Sequence, residues 1–306
     1  MAKMKTETAI QHRKAAALAD LDRDLTPDER EFVLDHWMEE GTARLDGAFF
    51  TPGGLATDLI LEAFGAGRII DLCAGIGRLA WTAHQYLSAH GAAREIVCVE
   101  KNPEYVRIGR KVLPEARWIC GDVFDVPTMD LGGRFDVAVA NPPFGRVSRQ
   151  GRTAPRYSGP QFEYHVIDVA AEVARRGLFI IPQESAPFRY SGCVRRTEEP
   201  TPQYERFQRQ TGLTLEQGCS VDTSQYVDEW RDAAPRTEIV TADFEEVQTR
   251  AVKVATAPAA PEPRNWLAMP ATEFAVKPKA AQAALFGMGD DKATGTIGLF
   301  DGEALF

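Results

Sequence analysis

The stretch of this sequence best suited to chemistry is Asn141-Pro142-Pro143-Phe144. Two consecutive prolines fix φ and push the residues before them away from helix, so the backbone there is stiff and extended. The Asn141 amide oxygen and the Pro142 carbonyl, held that way, can accept the two N–H groups of one planar nitrogen. Such a nitrogen is a poor nucleophile because its lone pair is delocalised. Accepting both protons draws it toward tetrahedral geometry and turns the lone pair toward a methyl donor. Phe144 offers a face for stacking a planar substrate, an interaction worth about 1–3 kcal/mol for a base. As a bare tetrapeptide, the commoner explanation is a turn that ends a strand.

Three further points of chemistry precede it. Asp71-Leu72-Cys73-Ala74-Gly75-Ile76-Gly77 follows an apolar run and opens a helical one. A Gly-rich turn at the carboxyl end of a parallel strand lets backbone approach a ligand closely. It is neither the full G-x-G-x-x-G fingerprint nor a P-loop. Glu100 ends the next apolar run, where a carboxylate can accept from both hydroxyls of a ribose. Gly121-Asp122-Val123 ends the one after, where a carboxylate can accept from an adenine amino group. Each acid alone reads equally as a solvated loop residue; three in succession argue for a ligand-binding edge.

The elements that must position these residues are legible as an alternation. β-rich runs at Ile69–Leu72, Ile96–Val99, Trp118–Cys120 and Phe135–Ala140 are separated by helical patterns at Leu79–His90 and Pro103–Val112. A helix from about Phe162 to Arg176 and a strand at Leu178–Ile181 follow, then strand-like runs at Leu213–Val221 and Thr237–Phe244. Alternation of this kind predicts an α/β fold: a doubly wound, seven-stranded, mostly parallel Rossmann-like sheet with one late antiparallel strand. Upstream, Thr26-Pro27-Asp28-Glu29 is a capping box with proline in the first turn. The helix it starts turns Phe32, Val33, Trp37 and Met38 toward a core. Residues 1–46 are thus expected to be a helical segment, 47–247 the catalytic domain, and 248–306, rich in Ala, Pro, Lys and Thr, a disordered low-complexity tail.

Composition narrows the class. A net charge of −9 argues against a protein that coats nucleic acid nonspecifically, since phosphate binding draws on clustered Lys and Arg. No apolar run is long enough to cross a bilayer, and the first thirty residues lack a signal-peptide core, so a cytoplasmic location is expected. Five cysteines without a C-x-x-C pair suggest neither a disulfide framework nor a zinc site.

Taken in order, these segments resemble the class I S-adenosylmethionine-dependent methyltransferases, and specifically the N6-adenine DNA methyltransferases, from about Gly47 to Phe244. The resemblance implies that Phe50, Thr51 and Pro52 contact the methionine part of S-adenosylmethionine. It implies that Asp71, Ala74, Gly75 and Gly77 form the cofactor turn, that Glu100 takes the ribose, and that Asp122 and Val123 take the adenine. Asn141 to Phe144 would be the catalytic turn, with the target adenine flipped out of DNA. Cofactor motifs before catalytic motif resemble the γ-type order. No metal or general base is implied.

Departures from that pattern are informative. No target-recognition domain of the usual size fits in the chain. In its place, residues 145–161 hold Arg146, Arg149, Arg152 and Arg156 without one acid. These arginines are expected to grip phosphates near a flipped base. A second insertion, Phe188 to Phe207, adds Arg189, Arg195 and Arg196. The same tetrapeptide also suits methylation of a glutamine amide in a protein or of guanine in ribosomal RNA, and a non-catalytic binding module is a further alternative. In the tail, Gln282-Ala283-Ala284-Leu285-Phe286 resembles peptides that dock into the replication sliding clamp, echoed by Leu299-Phe300 and the terminal Leu305-Phe306.

Overall fold

The computed structural model describes residues 6–38, 49–88, 95–230 and 235–245. Helix α1 (Thr6–Ala19) leads to α2 (Pro27–His36), whose start is the expected capping box. Glu29 N donates to Thr26 Oγ1 at 3.3 Å and Thr26 N donates to Glu29 Oε2 at 2.9 Å. Val33, Leu34, Trp37 and Met38 are buried, whereas Phe32 is only partly covered. Helix α3 (Gly53–Leu61) precedes the first strand.

The catalytic-domain elements then alternate. They are β1 (Arg68–Leu72), α4 (Arg78–Ser88), β2 (Glu95–Glu100), α5 (Pro103–Val112), β3 (Arg117–Cys120), a 3-10 turn at Val123–Thr128, β4 (Phe135–Ala140), α6 (Phe162–Val173) and β5 (Ala174–Pro182). A two-stranded hairpin, β6 (Phe188–Arg189) with β7 (Thr197–Glu198), is followed by α7 (Pro202–Thr211), β8 (Glu216–Gln217), a 3-10 turn at Thr223–Glu229 and β9 (Thr237–Asp243). The main sheet has seven strands in the order β3-β2-β1-β4-β5-β9-β8. The first five are parallel; β9 runs antiparallel to β5, and β8 antiparallel to β9. Strand order reverses between β1 and β4, the place where doubly wound sheets open a crevice at their carboxyl edge.

Each face of the sheet has its own apolar layer, which is why the central strands are apolar throughout. Ile69, Val137, Val139 and Ile180 point to the side covered by α1 to α5. Ile70, Leu72, Ala138, Phe179 and Ile181 point to the side covered by α6 and α7. On α5, Asn102 caps the first turn and Tyr105, Val106, Ile108 and Val112 face inward. Gly109 is required there, because a Cβ would lie 2.1 Å from the Trp118 ring.

Two boundaries differ from the sequence expectation. The helix predicted to reach Arg176 stops at Val173, and the strand begins at once at Ala174, whose partner is Phe135, with Arg176 opposite Val137. The strand predicted over Leu213–Val221 shrinks to Glu216–Gln217. Leu213 and Leu215 are buried, but their amides donate to Thr211 Oγ1 and the Tyr204 hydroxyl, not to a neighbouring strand. The expected docking peptides at Gln282–Phe286, Leu299-Phe300 and Leu305-Phe306, and the tail from residue 248, lie outside the described residues.

Candidate active site

Four strand ends meet along the carboxyl edge. At the end of β1 the chain turns through left-handed backbone at Cys73 (φ 59°), Gly75 (φ 56°) and Gly77 (φ 94°), which bends it sharply into α4. Asp71 lies beneath this turn, 1% exposed, and its Oδ2 accepts from Ala80 N at 3.1 Å. Its Oδ1 is buried without a partner. Burial, reinforced by the charge of Glu100, lifts the Asp71 carboxyl to about 8, so it carries a proton at neutral pH.

Glu100, at the end of β2, braces the turn. Its Oε2 accepts from Gly75 N and its Oε1 from Asn102 N, both at 2.8 Å. Asp122, after β3, caps the 3-10 turn by accepting from Phe124 N at 3.1 Å and faces Lys101 Nζ at 3.0 Å.

At the end of β4, Asn141 is held by a segment ninety residues upstream. Its Nδ2 donates to the Phe49 carbonyl at 3.0 Å and to Thr51 Oγ1 at 2.9 Å. Both protons of the amide nitrogen are therefore used, which fixes the orientation of the group: a flipped amide would set Oδ1 against the Phe49 carbonyl, acceptor to acceptor. Asn141 Oδ1 is left buried with no donor. A buried acceptor in that state costs about 1–3 kcal/mol, which an arriving N–H group would recover.

A cavity of about 360 Å³ runs along these strand ends. Of the residues expected at the site, Phe50, Gly75, Glu100, Asp122, Val123, Asn141, Pro143 and Arg149 form its wall. Asp71 lies beneath the turn, Ala74 and Gly77 are part of it outside the cavity wall, and Thr51 and Pro52 are buried. Pro142 is buried, and Phe144 packs on Phe49 with ring centroids 5.6 Å apart instead of forming cavity wall. The sequence reading missed Phe49, Cys73 and Tyr105, all on the wall. Tyr105 had a signal: it lies one helical turn into α5, straight after the strand that carries Glu100.

The arginine loop divides. Arg156 Nε binds Asp168 Oδ1 at 2.6 Å, and Asp168, fully buried, also accepts from Arg156 N and Tyr157 N. Arg152 pairs with Asp125 and stands 3.5 Å from Asp122. Both are thus paired with acids of the chain, against the expectation that all four arginines stand ready for phosphates. Arg146 is exposed and has no partner among the described residues, and Arg149 reaches the cavity. Arg149 Nη1 donates to the Arg152 carbonyl at 3.1 Å, and it is not held by His165. Its Nδ1 accepts from Ala154 N, burial keeps the ring neutral by lowering it to about 4, and the proton on Nε2 goes to the Gly159 carbonyl. Arg149 Nη1 then stands 2.7 Å from Nε2, donor against donor. In the second insertion, Arg189 pairs with Glu199 and Arg196 with Glu198, leaving Arg195 outward.

With this geometry, the comparisons place the chain. Residues 21–172 match the sequence model of the N-6 DNA Methylase family. No curated protein matches the chain. A class I S-adenosylmethionine-dependent methyltransferase from Listeria monocytogenes superposes with a TM-score of 0.51 at 12% identity, over 78% of this chain and 81% of that one. A type I restriction-modification methyltransferase subunit from Streptococcus thermophilus gives 0.50 at 14%, over 71% of this chain and 48% of that one. An RNA methyltransferase from Pyrococcus horikoshii gives 0.43 at 19%, over 77% and 98%. At such identities the Listeria and Streptococcus likenesses speak for a shared fold alone.

The cofactor is S-adenosylmethionine. The residues present fit it: a glycine turn for close backbone approach, two carboxylates at successive strand ends, and aromatic faces from Phe50 and Tyr105.

Proposed function

We propose that the protein methylates the N6 amino group of adenine in DNA. The observation that carries this reading is Asn141: its amide nitrogen is fully used, and its oxygen waits, buried and unpartnered, at the cavity wall. Such an acceptor suits a nitrogen that bears protons. Asn141 Oδ1 takes one N–H of the adenine amino group, and the Pro142 carbonyl takes the other. With both protons held, the nitrogen lone pair would be turned toward the activated methyl group, and the proton the nitrogen gives up on methylation would pass to water. Bound S-adenosylmethionine supplies an already activated methyl group, so the chain's work is to align and to exclude water. Arg146 and Arg149 are the cations left to meet phosphates beside the flipped base.

The test is transfer of labelled methyl groups to DNA, to RNA and to a glutamine-bearing protein, with nucleoside analysis of the DNA product. N6-methyladenine from the wild type, reduced at least a hundredfold by Asn141→Ala with cofactor binding retained, is the expected outcome. Label in RNA or protein with unmodified DNA would overturn it.

A further inference from the structure

Thr51 belongs to the segment in which the family resemblance places a cofactor contact. Its position points elsewhere. It is 6% exposed, it is absent from the cavity wall that includes its neighbours Phe49 and Phe50, and its Oγ1 accepts from Asn141 Nδ2 at 2.9 Å. The second proton of that nitrogen goes to the Phe49 carbonyl at 3.0 Å. A primary amide held at both protons has one remaining direction for its oxygen. Removing one of the two acceptors leaves the group free to pivot about the other, and Oδ1 no longer has a fixed aim.

We infer that Thr51 is a positioning residue for Asn141: through its hydroxyl it sets the direction of the Asn141 oxygen toward the acceptor nitrogen. The segment before the glycine turn thereby joins two tasks, Phe50 facing the cavity and Thr51 facing away from it to the catalytic turn. This inference rests on the nitrogen-methylation reading above, without depending on which nitrogen is methylated.

Thr51→Val keeps shape and removes the acceptor; Thr51→Ser keeps the acceptor. On whichever acceptor the wild type methylates, Thr51→Val is expected to lower kcat about ten- to a hundredfold. The dissociation constant for S-adenosylmethionine by calorimetry should stay within about twofold, with the melting temperature little changed. Thr51→Ser should restore most of kcat. A Thr51→Val enzyme with unchanged kcat, or one whose loss lies in cofactor affinity, overturns the inference. A wild type inactive on DNA but active on RNA or protein defeats only the adenine reading. Should the wild type methylate none of them, side-chain amide resonances decide. The Asn141 NH2 protons should exchange slowly in the wild type and markedly faster in Thr51→Val; equal rates overturn the inference.

Discussion

The amide of Gly145 donates to Glu163 Oε2 at 3.0 Å, so the residue that follows the Asn-Pro-Pro-Phe turn is tied to a buried carboxylate on α6. The Gly145 carbonyl in turn accepts from Phe162 N at 2.8 Å, and Ser185 Oγ donates to Glu163 Oε1 at 2.6 Å. Burial raises the Glu163 carboxyl above its ordinary range despite these donors. Glu163→Ala leaves the buried Ser185 hydroxyl and the part-buried Gly145 amide without their acceptor and should lower stability by about 1–3 kcal/mol. Urea unfolding measures the loss, and a midpoint within error of the wild type would remove Glu163 from this role.

Asp71 gives a pH dependence whose sign can be worked out. Its folded-state value, about 8, lies above the ordinary carboxylate value of 3.8, so the folded chain binds a proton that the unfolded chain has released. The contribution to stability is full below about pH 4 and is lost as pH rises through 8. Melting temperatures of wild type and Asp71→Asn, taken from pH 4 to 9, should show the wild type losing ground to the variant on the alkaline side. Parallel curves would mean that Asp71 stays ionised.

Arg156 and Arg149 should separate cleanly. Arg156→Ala strips a partner from fully buried Asp168 and is expected to cost about 1.5–3 kcal/mol of stability. Arg149→Ala should leave stability nearly unchanged while weakening DNA binding and reducing the slope of log affinity against log salt by about one. Denaturation and fluorescence-anisotropy titrations at several salt concentrations check both. Equal salt slopes in wild type and Arg149→Ala would remove Arg149 from the DNA interface.

Gly109→Ala probes the cofactor turn from a distance. The new methyl would meet Trp118 at 2.1 Å, and the same ring already stands 3.0 Å from where a Cβ on Gly77 would be. Pushing the indole toward Gly77 should cost about 1–3 kcal/mol and weaken S-adenosylmethionine binding in the same variant. Calorimetry with unchanged affinity would show that the indole moves another way.

The strand-end residues were legible because parallel strands covered on both faces are unbroken apolar runs, so the polar residue that ends each run stands out. Asp71, Glu100, Asp122 and Asn141 were found in that way. Partnerships were not legible. Asn141 is ninety positions from Thr51, and Arg152 meets an acid twenty-seven positions earlier, so loop composition alone made four arginines look free when two are taken. The end of α6 was misplaced because Ala174-Arg175-Arg176 suits a helix locally, and only pairing with β4 makes it strand. The run at Leu213–Val221 is apolar because Leu213 and Leu215 fill the core beside α7, which periodicity cannot tell from a strand.

The passage from α6 into β5 leaves no spare residue: Val173 closes the helix and Ala174 is already paired in the sheet. One residue added there would shift β5 by a step and exchange its two faces, turning Phe179 and Ile181 out of one layer and Leu178 and Ile180 out of the other. A change of length at this junction therefore turns a strand over, whereas the loop between Gly145 and Arg156 contains no strand or helix to misregister.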